Sequence, residues 1–223
     1  MEGIAKILDH TDLRADATEQ DICRLCNEAK KFGFGGVCVN SKWVKVAKKE
    51  LEGTDIKIVV VIDWPVGAGS PESRVFQAKK AKEDGADQID PVMDIGDFKE
   101  GNYEKVSEDL KALSSILPCK VIIETGYLTD EEIVKASLLV KEAGAYCVKT
   151  STGMEPKVDL ERKAGHVRLM RKAVGNDFLI KAAGGIRTMK DAEKMLEAGA
   201  DIIGTSAGVE IVTGVRSGEE KGE

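Results

Sequence analysis

Short apolar runs alternate with longer amphipathic stretches from one end of the 223-residue chain to the other. The runs at 7–11, 36–40, 56–63, 88–92, 119–125, 146–150, 178–182 and 201–205 are rich in Val, Ile and Leu. They have the length and near-continuous hydrophobicity of strands buried on both faces. Between them, apolar residues recur at helical spacing over about 18–32, 42–52, 71–84, 102–117, 129–143, 159–174 and 188–198, with a shorter stretch near 206–212. Thr18 with Asp21, Thr129 with Glu132 and Thr188 with Asp191 have capping-box spacing. Pro71 suits the first turn of its helix. Gly33, Gly85, Gly144 and Gly199 each close a helical stretch just before a strand, where a left-handed residue turns the chain.

Eight such βα units without a linker predict an α/β protein, a single (β/α)8 barrel over residues 1–215. An open doubly wound sheet is disfavoured, because no Gly-x-Gly-x-x-Gly follows the first strand. Residues 216–223 read as a disordered tail.

Composition narrows the class. Apolar residues make up 42% of the chain but aromatic ones only 4%, so the expected core is aliphatic. A net charge of −6 argues against nucleic acid and anionic membrane surfaces as partners. An anionic substrate would have to be drawn in by local lysines, arginines and backbone amides. No apolar run reaches the roughly 18–20 residues of a membrane span, and no secretory pattern opens the chain, so a cytoplasmic protein is expected. The five cysteines do not form an even framework, and Cys23-x-x-Cys26 lies inside a helical pattern. Cys38, Cys119 and Cys147 read as small strand residues. His10 and His166 are too few and too far apart to suggest zinc, and no metal is expected.

The chemistry collects at the strand ends, where barrels of this kind build their sites. Asp9, Asn40, Asp63, Asp90, Glu124, Lys149 and Lys181 all fall there. Lysine is rarely buried without a partner, yet Lys149 and Lys181 end apolar runs. Alternation turns Val148 and Ile180 toward the helices and the two lysines into the lumen. On neighbouring strands, ammonium groups ~5 Å apart repel by about 3 kcal/mol at an effective dielectric of ~20. Such repulsion would lower one amine by roughly two pKa units, toward the neutral form that attacks carbonyls. Which lysine that is stays open on this argument. Asp90 is expected nearer the assisting lysine or a water than the nucleophile. Ser151-Thr152-Gly153, Gly184-Gly185-Ile186 and Gly204-Thr205-Ser206 follow the last three strands. Glycine-rich loops at those strands are suited to phosphate, because backbone amides can approach it closely.

These residues resemble the deoxyribose-phosphate aldolase family, class I aldolases on a (β/α)8 barrel. The resemblance runs from Leu8-Asp9-His10-Thr11 to Ile203-Gly204-Thr205-Ser206. Its most specific motifs are Val148-Lys149-Thr150-Ser151-Thr152-Gly153 and Lys181-Ala182-Ala183-Gly184-Gly185-Ile186-Arg187. Val37–Asn40, Gly85–Asp90 and Val121–Thr125 support them. The resemblance implies a Schiff base on Lys149, with Lys181 perturbing that amine and relaying protons and Asp90 shuttling protons. It implies a substrate site with Asp9 and a phosphate held by Gly153, Gly184, Gly185, Gly204 and Ser206. The implied reaction is the reversible cleavage of 2-deoxy-D-ribose 5-phosphate to acetaldehyde and D-glyceraldehyde 3-phosphate, a step of deoxyribonucleotide catabolism. No cofactor is implied, the partner is a sugar phosphate, and a homo-oligomer is expected. Pro91, Asp63-Trp64-Pro65, Met154–Lys157 and Ala207 depart from the family pattern. They keep two other readings in play: a Schiff-base aldolase with a different donor, and a phosphate-binding isomerase or synthase that uses its lysines only for charge.

Overall fold

In a computed structural model of the chain, residues 2–154 and 156–215 are described. The expected tail at 216–223 lies outside them. Eight parallel strands are present: β1 (Leu8–Asp12), β2 (Gly36–Val39), β3 (Lys57–Ile62), β4 (Gln88–Pro91), β5 (Lys120–Ile122), β6 (Cys147–Lys149), β7 (Leu179–Ala183) and β8 (Ile202–Thr205). Their order, β4-β3-β2-β1-β8-β7-β6-β5, has β4 and β5 at its two ends. Those ends meet through parallel bridges at Ile89–Cys119 and Val92–Ile122, and the sheet closes into a (β/α)8 barrel.

The helices are α1 (Glu2–Ala5), α2 (Glu19–Phe32), α3 (Val44–Glu50), α4 (Pro71–Asp84), α5 (Ile95–Lys99), α6 (Tyr103–Ser114), α7 (Asp130–Glu142), α8 (Leu160–Val174), α9 (Met189–Glu197) and α10 (Gly208–Thr213). All three predicted capping boxes form. Gly33, Gly85, Gly144 and Gly199 all adopt positive φ at the helix ends. No helix among the described residues is long and apolar enough to cross a membrane.

Most of the core lies between the sheet and the helices, where alternate strand residues such as Val37, Val60, Val121, Val148, Ile180 and Ile203 are buried. The opposite phase lines the lumen, where Cys38, Val59 and Val61 form a smaller cluster with Leu13 and Trp64. Some elements differ from the sequence reading. The 42–52 stretch splits into a 3-10 turn at Ser41–Trp43 followed by α3. The helix α5 is too short to show a period. β5 stops at Ile122, because Glu124 takes a left-handed conformation (φ 48°) and redirects the chain into a turn.

One buried cation fixes the rim near β3 and β4. Arg74, on α4, donates to the carbonyls of Val92 at 2.5 Å and Gly67 at 3.1 Å and pairs with Asp109 of α6 at 3.1 Å. Burial raises the Asp109 carboxyl, and Arg74 opposes that. Removing one partner of a buried pair costs about 3–5 kcal/mol, because the other charge is left uncompensated. Arg74→Met is expected to lose that much stability in urea unfolding. A loss below about 1 kcal/mol, typical of exposed pairs, would show that the pair contributes little.

Candidate active site

Five ionisable side chains from five strands meet in the lumen. Lys149 closes β6, Lys181 lies beside it on β7, and the two are register partners. Val148 and Ile180 are wholly buried on the helix side, so both lysines face inward, as alternation predicts. Asp90 of β4 lies across from them. Its Oδ2 accepts from Lys149 at 2.8 Å and from Lys181 at 2.9 Å. The carboxylate is therefore shared equally and does not favour one lysine, which corrects the expectation from charge repulsion alone. Lys181 also donates to Oδ2 of Asp9, on β1.

Lys120, on β5, is the member that the sequence reading missed. It is 1% exposed and lies 3.3 Å from Asp9 Oδ2 and 3.5 Å from Asp90 Oδ1, while donating to the side-chain oxygen of Gln88. The sequence places its candidates at the C-terminal ends of strands, whereas Lys120 begins β5. The available signal was phase: Lys120 alternates with Ile122 and Glu124, on the lumen side of Val121 and Ile123.

Electrostatics sort the group. Burial disfavours the charge on Asp90, yet the three surrounding lysines outweigh it and hold the carboxyl well below the usual range. Asp9 is lowered too, as Lys120 and Lys181 overcome its burial. Burial pulls the Lys181 and Lys120 amines down, but Asp9 and Asp90 raise both above the ordinary lysine value. Oδ1 of Asp90 accepts no hydrogen bond among the described residues, and Lys120 Nζ lies 3.5 Å from it.

The other rim candidates do not join the cluster. Asp63, also left-handed at φ 52°, accepts from the amide of Gly69 at 2.7 Å and faces Arg74 at 3.4 Å, so it braces a loop. Asn40 caps the turn at Ser41 without a side-chain bond. Buried Glu124 accepts from the amide and hydroxyl of Thr152, at 3.0 and 2.5 Å, tying the end of β5 to the loop after β6. Its carboxyl is raised by burial, against those bonds.

The glycine loops lie side by side. Gly153, Gly184 and Gly185 have φ of 89°, 84° and 81°, and a Cβ on Gly184 would come within 3.2 Å of Gly153 Cα. Gly204 sits within β8, paired with Asp9, and a Cβ there would lie 2.8 Å from Lys181 Cε. Its lack of a side chain makes room for Lys181. Ser206 is exposed just beyond β8. All five cysteines are free, and no group of three His, Cys, Asp or Glu among the described residues could hold a metal ion. His10 turns to the helix side and meets Glu28 at 2.7 Å.

Parallel barrel and buried amine cluster together define a class, the barrel enzymes that carry lysines in the lumen. Comparison with known proteins narrows it. The family described as DeoC/LacD family aldolase matches residues 4–218. A deoxyribose-phosphate aldolase of Thermococcus gammatolerans is 50% identical, over 97% of this chain and 98% of its own. One from a Geobacillus species is 47% identical, over 95% and 96%. The solved structure of a deoxyribose phosphate aldolase from Aeropyrum pernix, described as tetrameric, superposes with a TM-score of 0.85. It is 32% identical, over 95% of this chain and 90% of that one. The chain belongs to the DeoC/LacD aldolase family.

Proposed function

We propose that this aldolase cleaves 2-deoxy-D-ribose 5-phosphate reversibly to acetaldehyde and D-glyceraldehyde 3-phosphate, through a Schiff base on Lys149. The observation that carries the choice of lysine is a charge count. Two carboxylates, Asp9 and Asp90, face three amines. Lys181 and Lys120 each lie within ion-pair distance of both carboxylates, whereas Lys149 reaches only Asp90. A buried cluster is least costly when its charges cancel, so one amine is surplus. Lys149, with the fewest carboxylate contacts and the greatest exposure of the three at 4%, is the amine best placed to meet a carbonyl.

The chemistry follows. The Lys149 amine adds to the C1 aldehyde, and loss of water leaves an iminium. Acetaldehyde keeps two carbons, so the bond that breaks joins C2 and C3. The C3 hydroxyl loses its proton as that electron pair moves into the iminium, releasing glyceraldehyde 3-phosphate and leaving an enamine. Protonation at C2 and hydrolysis free acetaldehyde and restore the amine. Ionised Asp90 serves as proton acceptor and Lys181 as donor, with a water between them and the substrate. The phosphate is assigned to the amides around Gly153, Gly184 and Gly185, with Gly204 and Ser206 at the edge of the site and Asp9 at its floor. No cofactor enters the scheme. A homo-oligomer is proposed by analogy with the tetrameric Aeropyrum relative, and a cytoplasmic setting suits the sugar-phosphate substrate.

Release of both products from 2-deoxyribose 5-phosphate tests the reaction. The phosphate assignment is tested by Gly185→Val. A Cβ at Gly185 meets only Leu160, at 4.0 Å, but valine is strained at φ 81° and displaces the loop amides. Phosphate binding contributes to the reacting centre as well as to affinity. Both kcat and apparent affinity for the phosphorylated substrate are therefore expected to fall, by about tenfold or more in kcat/KM for each charge-assisted bond lost. Slow turnover of unphosphorylated deoxyribose should persist. Equal losses on both substrates would place the phosphate elsewhere.

A further inference from the structure

One buried amine has no part in this scheme. Lys163, in the first turn of α8, is 3% exposed. Its Nζ donates to the carbonyl oxygens of Ala183, at 2.8 Å, and Gly184. Among the described residues no carboxylate lies within ion-pair distance of it, and Glu124 acts on it only through space. An ammonium buried against two backbone carbonyls, with no anion in contact, is a costly arrangement unless a ligand supplies the missing charge.

The position of those carbonyls shows what it could do. They lie where β7 ends, at Ala183, and the loop to α9 begins, at Gly184. In a trans peptide the C=O and the following N–H point in opposite directions. Holding Ala183 O toward α8 turns the Gly184 amide away from that helix, and holding Gly184 O does the same for the amide of Gly185. The amides so turned belong to the residues beside Gly153, whose Cα lies 3.2 Å from where a Cβ on Gly184 would stand. Successive amides presented to one side form a cradle for an anion.

We propose that Lys163 is a positioning residue for phosphate recognition, holding the Ala183 and Gly184 carbonyls on the helix side so that the next two amides face a phosphate monoester. Its charge lies behind the cradle and strengthens it. The inference rests on the phosphate reading of these loops given above. Burial pushes the amine down to about 8, with Glu124 opposing, so the bound dianion also favours its charged form.

The test compares wild type with Lys163→Met, which keeps the length of the side chain and removes donor and charge. Steady-state constants are measured with 2-deoxyribose 5-phosphate and with 2-deoxyribose, and inorganic phosphate is titrated as a competitive inhibitor. Loss of charge-assisted hydrogen bonding should raise the phosphate inhibition constant and the KM for the phosphorylated substrate about ten- to a hundredfold. Turnover of 2-deoxyribose, which carries no phosphate for the cradle to hold, should change by no more than about threefold. If the methionine variant does not fold, Lys163→Gln, which keeps a donor without charge, should show the same split, and Lys163→Arg should restore part of it. Equal effects on both substrates, or unchanged phosphate inhibition, would overturn the role of Lys163. Gly185→Val separates that outcome from failure of the phosphate reading. If Gly185→Val abolishes phosphate inhibition and Lys163→Met does not, only the Lys163 inference falls. If neither variant changes it, the phosphate site itself is misplaced.

Discussion

Lys149→Met is expected to lower kcat/KM by about four orders of magnitude or more while leaving the protein folded. Removing a covalent nucleophile takes away the whole route, and the remaining groups cannot act without it. The charge count makes the second half of this prediction specific. Without Lys149 the cluster holds two carboxylates and two ammonium groups, Lys120 and Lys181, each within reach of both acids. The cluster stays balanced, and methionine fills a similar volume, so the cost in stability should stay below about 1.5 kcal/mol. A folded variant retaining a tenth of the activity would be incompatible with Lys149 as nucleophile. A variant that unfolds would show that Lys149 belongs to the balanced pair set and that another amine is the surplus one.

Lys181→Leu should have the second largest effect, and of a different kind. With Lys181 gone, two carboxylates face only Lys120 and Lys149. Lys149 then becomes the counter-ion that Asp90 requires, and its proton is harder to remove. The interaction lost is about 3 kcal/mol for charges ~5 Å apart at an effective dielectric of ~20, or roughly two pH units. The acidic limb of kcat/KM against pH should move upward by about that much. Activity near neutrality should drop about a hundredfold and partly recover in alkaline buffer. An unmoved acidic limb would sink the charge argument, whatever happened to the rate.

The same cluster sets a pH dependence of stability. Asp9 and Asp90 are held below their ordinary range, so their contribution is complete above the unfolded carboxylate value of about 4 and is lost as the pH falls below it. Lys120 and Lys181 are raised, so their contribution is complete below about 10 and is lost only above that. Wild-type stability from the cluster should therefore be flat across the pH range of the activity assay. The Lys181→Leu profile is read beside the variant's own unfolding curve over the same pH range, which separates catalysis from unfolding.

Much of this architecture was legible in the chain because the strands are buried on both faces and the helices on one. The eight apolar runs and the capping boxes at Thr18, Thr129 and Thr188 are local signals, and they fixed element type and order. The helix α5 escaped because five residues do not span enough turns to show a period. The end of β5 was overrun because left-handed Glu124 is stabilised by Thr152, 28 residues away, which no local pattern reports. The site divided along the same line. Lys149, Lys181 and Asp90 stood out at strand ends. Lys120 did not, since only barrel closure between β4 and β5 brings it to Asp90. Asp63 had the right position and the wrong partner, because Arg74 reaches it from α4. Lys163 lay in a helix, and its approach to the β7 loop is a tertiary fact.

The central claim is that the surplus amine of the cluster, Lys149, carries the covalent intermediate. The most direct measurement incubates the protein with acetaldehyde, reduces with borohydride and locates the modified residue by peptide mass spectrometry. The account predicts a reduced two-carbon adduct, an ethyl group, on Lys149 and none on Lys181 or Lys120. An adduct on Lys181 or Lys120 with Lys149 unmodified would contradict it.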